Sequence, residues 1–133
     1  MARSESSYPK DWLRIAEKDL GRVELMLEAE DPDAAGFYLQ QTTEKFLKAF
    51  LLSNGWQLKR IHDLETLLND ALQFDPSLEE FRDICQRVTG FYFLDRYPMM
   101  TSFGVTDEDV KDAFSEAAKL IARLRSQLDV ASD

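Results

Sequence analysis

Residues 33–54 (DAAGFYLQQTTEKFLKAFLLSN) constrain the fold more than any other part of the chain. At 100° per residue, Leu39, Phe46, Leu47 and Phe50 share one helical face, while Tyr38, Ala49 and Leu52 lie on other sides. A helix apolar around most of its circumference belongs at the centre of its fold. Yet Gln41, Glu44 and Lys48, spaced i, i+3, i+7, form a narrow polar stripe flanked by Phe37, Leu51 and Leu52. Buried polar groups need partners or a wet cleft. The stripe is therefore either an internal salt-bridge ladder or one wall of a site. Glu44 and Lys48 stand in the favourable i, i+4 order, with Lys45 beside them.

The rest of the chain reads as four more helices and no strands. Helix one runs from about Pro9 to Glu30, with Trp12, Ile15, Ala16, Leu20, Val23, Met26 and Leu27 on one broad face and Asp19 in its middle. Asp31-Pro32 is a cap followed by a first-turn proline for helix two, and Gly55 is its stop. Helix three runs from His62 or Asp63 to Phe74. Asp75-Pro76 opens helix four, which continues to about Leu94. A loop over 95–105 carries Arg96-Tyr97-Pro98. Thr106-Asp107-Glu108-Asp109 then starts helix five with a capped, acidic first turn. Residues 1–8 and 130–133 are expected to lack regular structure. Short links between long amphipathic helices predict an all-α fold, a four- to five-helix up-and-down antiparallel bundle, as a single domain over 9–129.

Composition narrows the function classes. The 133 residues suffice for one core without staples. The single cysteine, Cys85, excludes an intrachain disulfide framework and a cysteine-based zinc site, and it falls on the apolar face of its helix. No run approaches a membrane span, so a cytoplasmic protein is expected. A net charge of −9 argues against a general nucleic-acid surface but leaves room for a local basic pocket.

Four polar features can carry chemistry. Asp19 needs a partner or a cleft, and Lys48 on the adjacent antiparallel helix is its expected partner. The stripe of Gln41, Glu44 and Lys48, with Lys45, is the second. His62, the one histidine, stands at a helix start, where the dipole favours a neutral ring. A metal site around it is not expected, because no acidic cluster of ligand spacing lies nearby. Arg96-Tyr97 combines a planar cation with a phenol, suited to carboxylate or phosphate contact or to pinning a loop. No glycine-rich phosphate loop or Ser/His/Asp set is present.

The order and spacing of several short pieces resemble the HEPN family. The resemblance spans roughly Trp12 to Leu124. It rests on Trp12, Ala16, Asp19 and Leu20 in helix one and on QQTTEKFLKA, residues 40–49, in helix two. His62-Asp63-Leu64 with Leu67-Leu68, and Arg96-Tyr97-Pro98, complete it. The resemblance implies a helical bundle, commonly a homodimer. Such proteins often act with a minimal nucleotidyltransferase as a toxin–antitoxin-like pair. Other members are metal-independent endoribonucleases, whose motif is an arginine followed four to six residues later by a histidine. Here Tyr97 to Phe103 follow Arg96 with no histidine downstream, and His62 precedes it.

Three readings follow. The first is a non-catalytic module, with no cofactor, that dimerises and binds a nucleotide or a nucleotidyltransferase partner through Asp19, Gln41, Glu44, Lys45, Lys48, His62, Arg96 and Tyr97. The second is an RNA-cleaving enzyme with a non-standard site built from Arg96, Tyr97 and His62. The third is a purely structural oligomerising bundle. The four consecutive apolar residues Phe91 to Leu94 are expected to meet a second chain on one side.

Overall fold

Acidic caps and first-turn prolines start the helices where the sequence places them. The structure, a computed structural model, describes residues 6–96 and 105–131, and for 92–96 and 129–131 the backbone alone. The helices are α1 (Pro9–Glu28), α2 (Pro32–Ser53), α3 (Leu64–Ala71), α4 (Arg82–Arg96) and α5 (Asp107–Ala131), with a 3₁₀ segment, Pro76–Phe81, leading into α4. No strand occurs among the described residues.

The cap residues behave as their chemistry dictates. Asp31 accepts from the Ala34 amide, Asp63 from the Glu65 and Thr66 amides, and Asp75 from the Ser77 amide. Thr106 and Asp109 cap α5 reciprocally, each backbone N–H donating to the other's side chain at 3.1 Å.

Several boundaries differ from the sequence expectation. α1 ends at Glu28 rather than Glu30, because Glu30 takes φ 58 and the Asp31 amide turns back to the Met26 carbonyl at 2.9 Å. His62 stays outside α3, which Asp63 caps, and the helix closes at Ala71, three residues early. Helix four opens as a tight 3₁₀ turn under Asp75. α4 reaches Arg96, and α5 runs three residues past Leu128. Of the segments expected to lack regular structure, 1–5 and 132–133 lie outside the described residues. Ser6 is tied to α1: its carbonyl accepts from the Trp12 indole at 2.6 Å, and its hydroxyl donates to Asp11.

α2 is the element on which every other helix packs. Leu39, Phe46, Leu47, Phe50 and Leu51 are all buried. α1 folds back along one side of it. α3, α4 and α5 cover the rest through Leu64, Leu67, Leu68, Cys85, Val88, Ala113, Ala117, Leu120 and Leu124.

α4 runs antiparallel to α2. Phe74, just before the 3₁₀ segment, meets Phe50 edge-on with ring centroids 6.4 Å apart, whereas Phe91 near the end of α4 meets Gly36. A Cβ on Gly36 would stand 3.1 Å from Phe91, so glycine permits this close approach. α5 runs antiparallel to α4 in turn, with Arg87 donating to the Asp109 carbonyl at one end and Arg123 over Phe81 at the other. The result is an up-and-down bundle with the short α3 inserted.

Candidate functional site

The three-residue link between α1 and α2 sets the level at which their side chains meet. Asp19, 1% exposed, comes opposite Lys45. Its Oδ2 accepts from Lys45 Nζ at 2.5 Å, and its Oδ1 accepts from Arg22 Nη1 at 2.5 Å. The expected partner, Lys48, lies one turn further along α2 and pairs elsewhere, which corrects the sequence reading. Two cations therefore share one buried carboxylate, leaving one positive charge over. Lys45 is 18% exposed and Arg22 47%, so this surplus reaches solvent. The Arg22 guanidinium also lies 5.7 Å from the Tyr38 ring centroid.

Glu44, the residue before Lys45, is the hub of a second cluster. Its Oε2 accepts from Lys48 Nζ at 3.1 Å and stands 3.1 Å from His62 Nδ1. Its Oε1 accepts from Gln40 Nε2 at 3.1 Å. Gln40 also donates to the His62 carbonyl, and its own oxygen accepts from Gln41 Nε2 at 2.7 Å. A carboxylate can only accept, so the His62 ring carries its proton on Nδ1 in this contact. Lys48 is fully buried, with Nζ 4.9 Å from the Trp12 ring centroid. Such a group is a structural ion, held by one carboxylate and one aromatic face.

The stripe is thus two neighbouring clusters: Asp19 with Lys45 and Arg22, and buried Glu44 and Lys48 with His62 half exposed at their edge. Asp19, Gln41, Glu44, Lys45, Lys48 and His62 all belong to it. Sequence reasoning missed Gln40, which is buried and bridges helix to loop, and Arg22. The i, i+3 spacing of Asp19 and Arg22 was the available signal for the second.

Arg96 is not brought to this seam within one chain. Gly36 and Phe91 mark one level. Lys48 lies twelve residues from Gly36 in one direction, and Arg96 five residues from Phe91 in the other, so their backbones are about 25 Å apart along the bundle. The same reckoning puts Arg96 roughly 20 Å from Glu44, the residue that His62 touches. Tyr97 lies outside the described residues. A cavity of about 420 Å³ opens elsewhere, over Phe81 and Ile84 between α4 and α5, among side chains of mixed charge. Among the described residues, no group of three or more His, Cys, Asp or Glu side chains could hold a metal ion. Nor is any helix among them long and apolar enough to cross a membrane.

An up-and-down bundle with a charged seam on its central helix defines the class of protein: a small all-helical domain built around an α1–α2 hairpin. The chain belongs to the HEPN family, whose domain pattern matches residues 9–127. It is similar to the crystal structure of TT1696 from Thermus thermophilus, with a TM-score of 0.80 and 26% identity, covering 89% of this chain and 96% of that one. It has the fold of ST0689, an archaeal HEPN homologue, with a TM-score of 0.72 and 24% identity, covering 91% and 98% of the two chains. No curated protein matches it.

Proposed function

We propose that this HEPN domain binds a nucleotide through its phosphates at the Asp19, Arg22 and Lys45 cluster of the seam, and performs no chemistry of its own. The observation that carries the reading is the pairing of Arg22 and Lys45 on the single carboxylate of Asp19. In a chain of net charge −9 these two cations are held half-buried by one anion. Holding them by a carboxylate fixes their geometry in advance, which lowers the ordering cost of binding. Tyr38, already under the Arg22 guanidinium, offers a face on which a base can stack. Binding without cleavage is supported by the sequence, which has no histidine downstream of Arg96. The separation of His62 from Arg96 within one chain supports it further.

Thermal unfolding with ATP, GTP, CTP and UTP, with and without Mg²⁺, tests the site in wild type and Lys45→Ala. A nucleotide at a hundred times its dissociation constant adds about 2.7 kcal/mol, worth roughly 10 °C in a domain of this size. The expected result is a shift in wild type that disappears in a still-folded Lys45→Ala. No shift with any nucleotide refutes the reading. Lys48→Ala does not test it, because Lys48 has no path to a ligand without opening the core.

The domain works as a homodimer in this proposal, through the end of α4. A helix turns 100° per residue, so the apolar run Phe91 to Leu94 spans most of its circumference, and one helix of a bundle cannot bury all sides of such a run in its own core. A monodisperse monomer in sedimentation velocity at micromolar concentration rules this out. A minimal nucleotidyltransferase is the protein partner that the family resemblance suggests.

A further inference from the structure

α1 carries two seams of the same 4-3-4 spacing. Trp12, Ala16, Asp19 and Val23 form the first and are buried against α2. Arg14, Lys18, Gly21 and Leu25 form the second, about 160° round the helix by its 100° periodicity, and all four are exposed. α1 packs on α2, with one ion pair from Glu17 to Arg125 of α5 as its other tie. The second seam therefore faces no other element among the described residues.

Three features of this seam have no explanation among the described residues. The first is charge. The chain has 25 acidic residues against 16 lysines and arginines, so cations here have carboxylates to spare. Even so, Lys10, Arg14 and Lys18, spaced i, i+4, i+8, make no ion pair or hydrogen bond among the described residues, while Arg22 continues the row and is held by Asp19. The second is Gly21. Glycine is among the poorest helix formers, yet no atom of the described residues lies within 4 Å of where its Cβ would be. Among the described residues Gly36 is needed for Phe91 and Gly55 for its positive φ, whereas no contact or backbone angle calls for a glycine at 21 in α1 or at 90 in α4, and of these two Gly21 is the one on the seam. The third is Leu25, 59% exposed at the end of the same seam.

We propose that the outward seam of α1 docks an acidic amphipathic helix of a partner protein. A 4-3-4 seam is the geometry by which one helix receives another. Gly21, at its middle, lets the two backbones approach closely. Carboxylates four residues apart on the partner meet Lys10, Arg14 and Lys18, and an apolar side chain covers Leu25. Glu24 and Glu28 rim one edge of the seam, so the partner carries a basic flank there. A nucleic-acid strand fits less well: it would meet that acidic rim and the −9 charge of the chain, and the seam offers no aromatic ring for its bases. An anionic membrane would find a single exposed leucine on this face.

The test uses the full chain and a fluorescent helical peptide with glutamates at four-residue spacing, leucines beside them and lysines on one flank. Single-stranded oligo-dT and phosphatidylserine vesicles serve as the other two arms. The expected result is peptide binding that weakens with salt and falls at least about tenfold in Arg14→Glu/Lys18→Glu. Gly21→Gln should cause a similar loss with no fall in Tm, since it improves the helix while blocking the approach. Equal peptide affinity in wild type and both variants overturns the proposal. So does preferential binding of oligo-dT or vesicles that the double variant abolishes, or self-association that it abolishes, which would make the occupant a second copy. Lys45→Ala leaves peptide binding unchanged, so failure of this inference and failure of the nucleotide reading are separately visible.

Discussion

Replacing Lys48 by methionine keeps most of the stem volume and removes the charge, which isolates the worth of the ion in the core. Lys48 Nζ is fully buried, with Glu44 as its one ionic partner among the described residues at 3.1 Å and the Trp12 ring 4.9 Å away. Removing one member of a buried pair strands the other and costs about 3–5 kcal/mol. Glu44 keeps its contacts with Gln40 and His62, and the methionine sulfur still packs on Trp12, so the low end of that range, about 3 kcal/mol, is expected. For 133 residues this lowers Tm by roughly 11 °C. Glu44→Gln strands the lysine instead and should cost about as much. The double variant Glu44→Gln/Lys48→Met strands neither charge and retains an acceptor for Gln40. It should therefore recover about 2–3 kcal/mol relative to the sum of the singles. Urea unfolding followed by far-UV circular dichroism measures all four corners of the cycle. Single costs below about 1 kcal/mol, or a double variant equal to the sum of the singles, would show that the pair is neither buried nor coupled as described.

Two other predictions concern titratable groups. Burial pushes the Cys85 thiol up to about 12 against an opposing pull from Arg82, with smaller rises from Asp63 and Glu65. Native protein should accordingly resist a thiol reagent at mildly alkaline pH and react at once in denaturant; rapid native labelling would contradict the packing of α4. The carboxyl of Asp75 is held below its usual value by the Ser77 hydroxyl first, then by Gln127, the Ser77 amide and Arg123, against a raising effect of partial burial. A carboxyl with a lowered folded value contributes stability above its unfolded value and loses it as pH falls through the folded one. The loss should thus come below about pH 4. Asp75→Asn should cost about 1 kcal/mol at neutral pH and flatten the acid limb of the stability curve, and an unchanged limb would remove Asp75 from the account.

The centrality of α2 is legible in the sequence because its apolar residues go round the helix, and only a surrounded helix can bury them. The starts of α2 and α3 are legible from local chemistry, since a capping carboxylate acts within three residues of itself. The end of α1 is less so: Glu30 adopts the left-handed conformation without being glycine, so nothing marks the turn. The partner of Asp19 depends on how far α1 and α2 are slid along each other. Lys45 and Lys48 differ by about 4.5 Å along the axis, less than the reach of either side chain, so periodicity cannot choose between them. The split of the polar stripe follows from the same register. Arg96 looks like a seam residue in the sequence because spacing says nothing about the end of the bundle a helix terminus reaches. The antiparallel path of α4, fixed by Phe74 on Phe50 and Phe91 on Gly36, carries it away.

The three-residue link between α1 and α2 also has a kinetic meaning. These two helices meet as a hairpin whose contacts need almost no loop closure, and such local contacts form early. The helix that α3, α4 and α5 need as their wall can thus be in place, with Asp19 already on Lys45, before the most distant part of the chain arrives. α5 then completes the core by docking on a surface that is already formed. Of the helices packed on α2, α5 is the one whose contacts with it span the longest stretch of chain, and contacts of that kind are the slow ones to form.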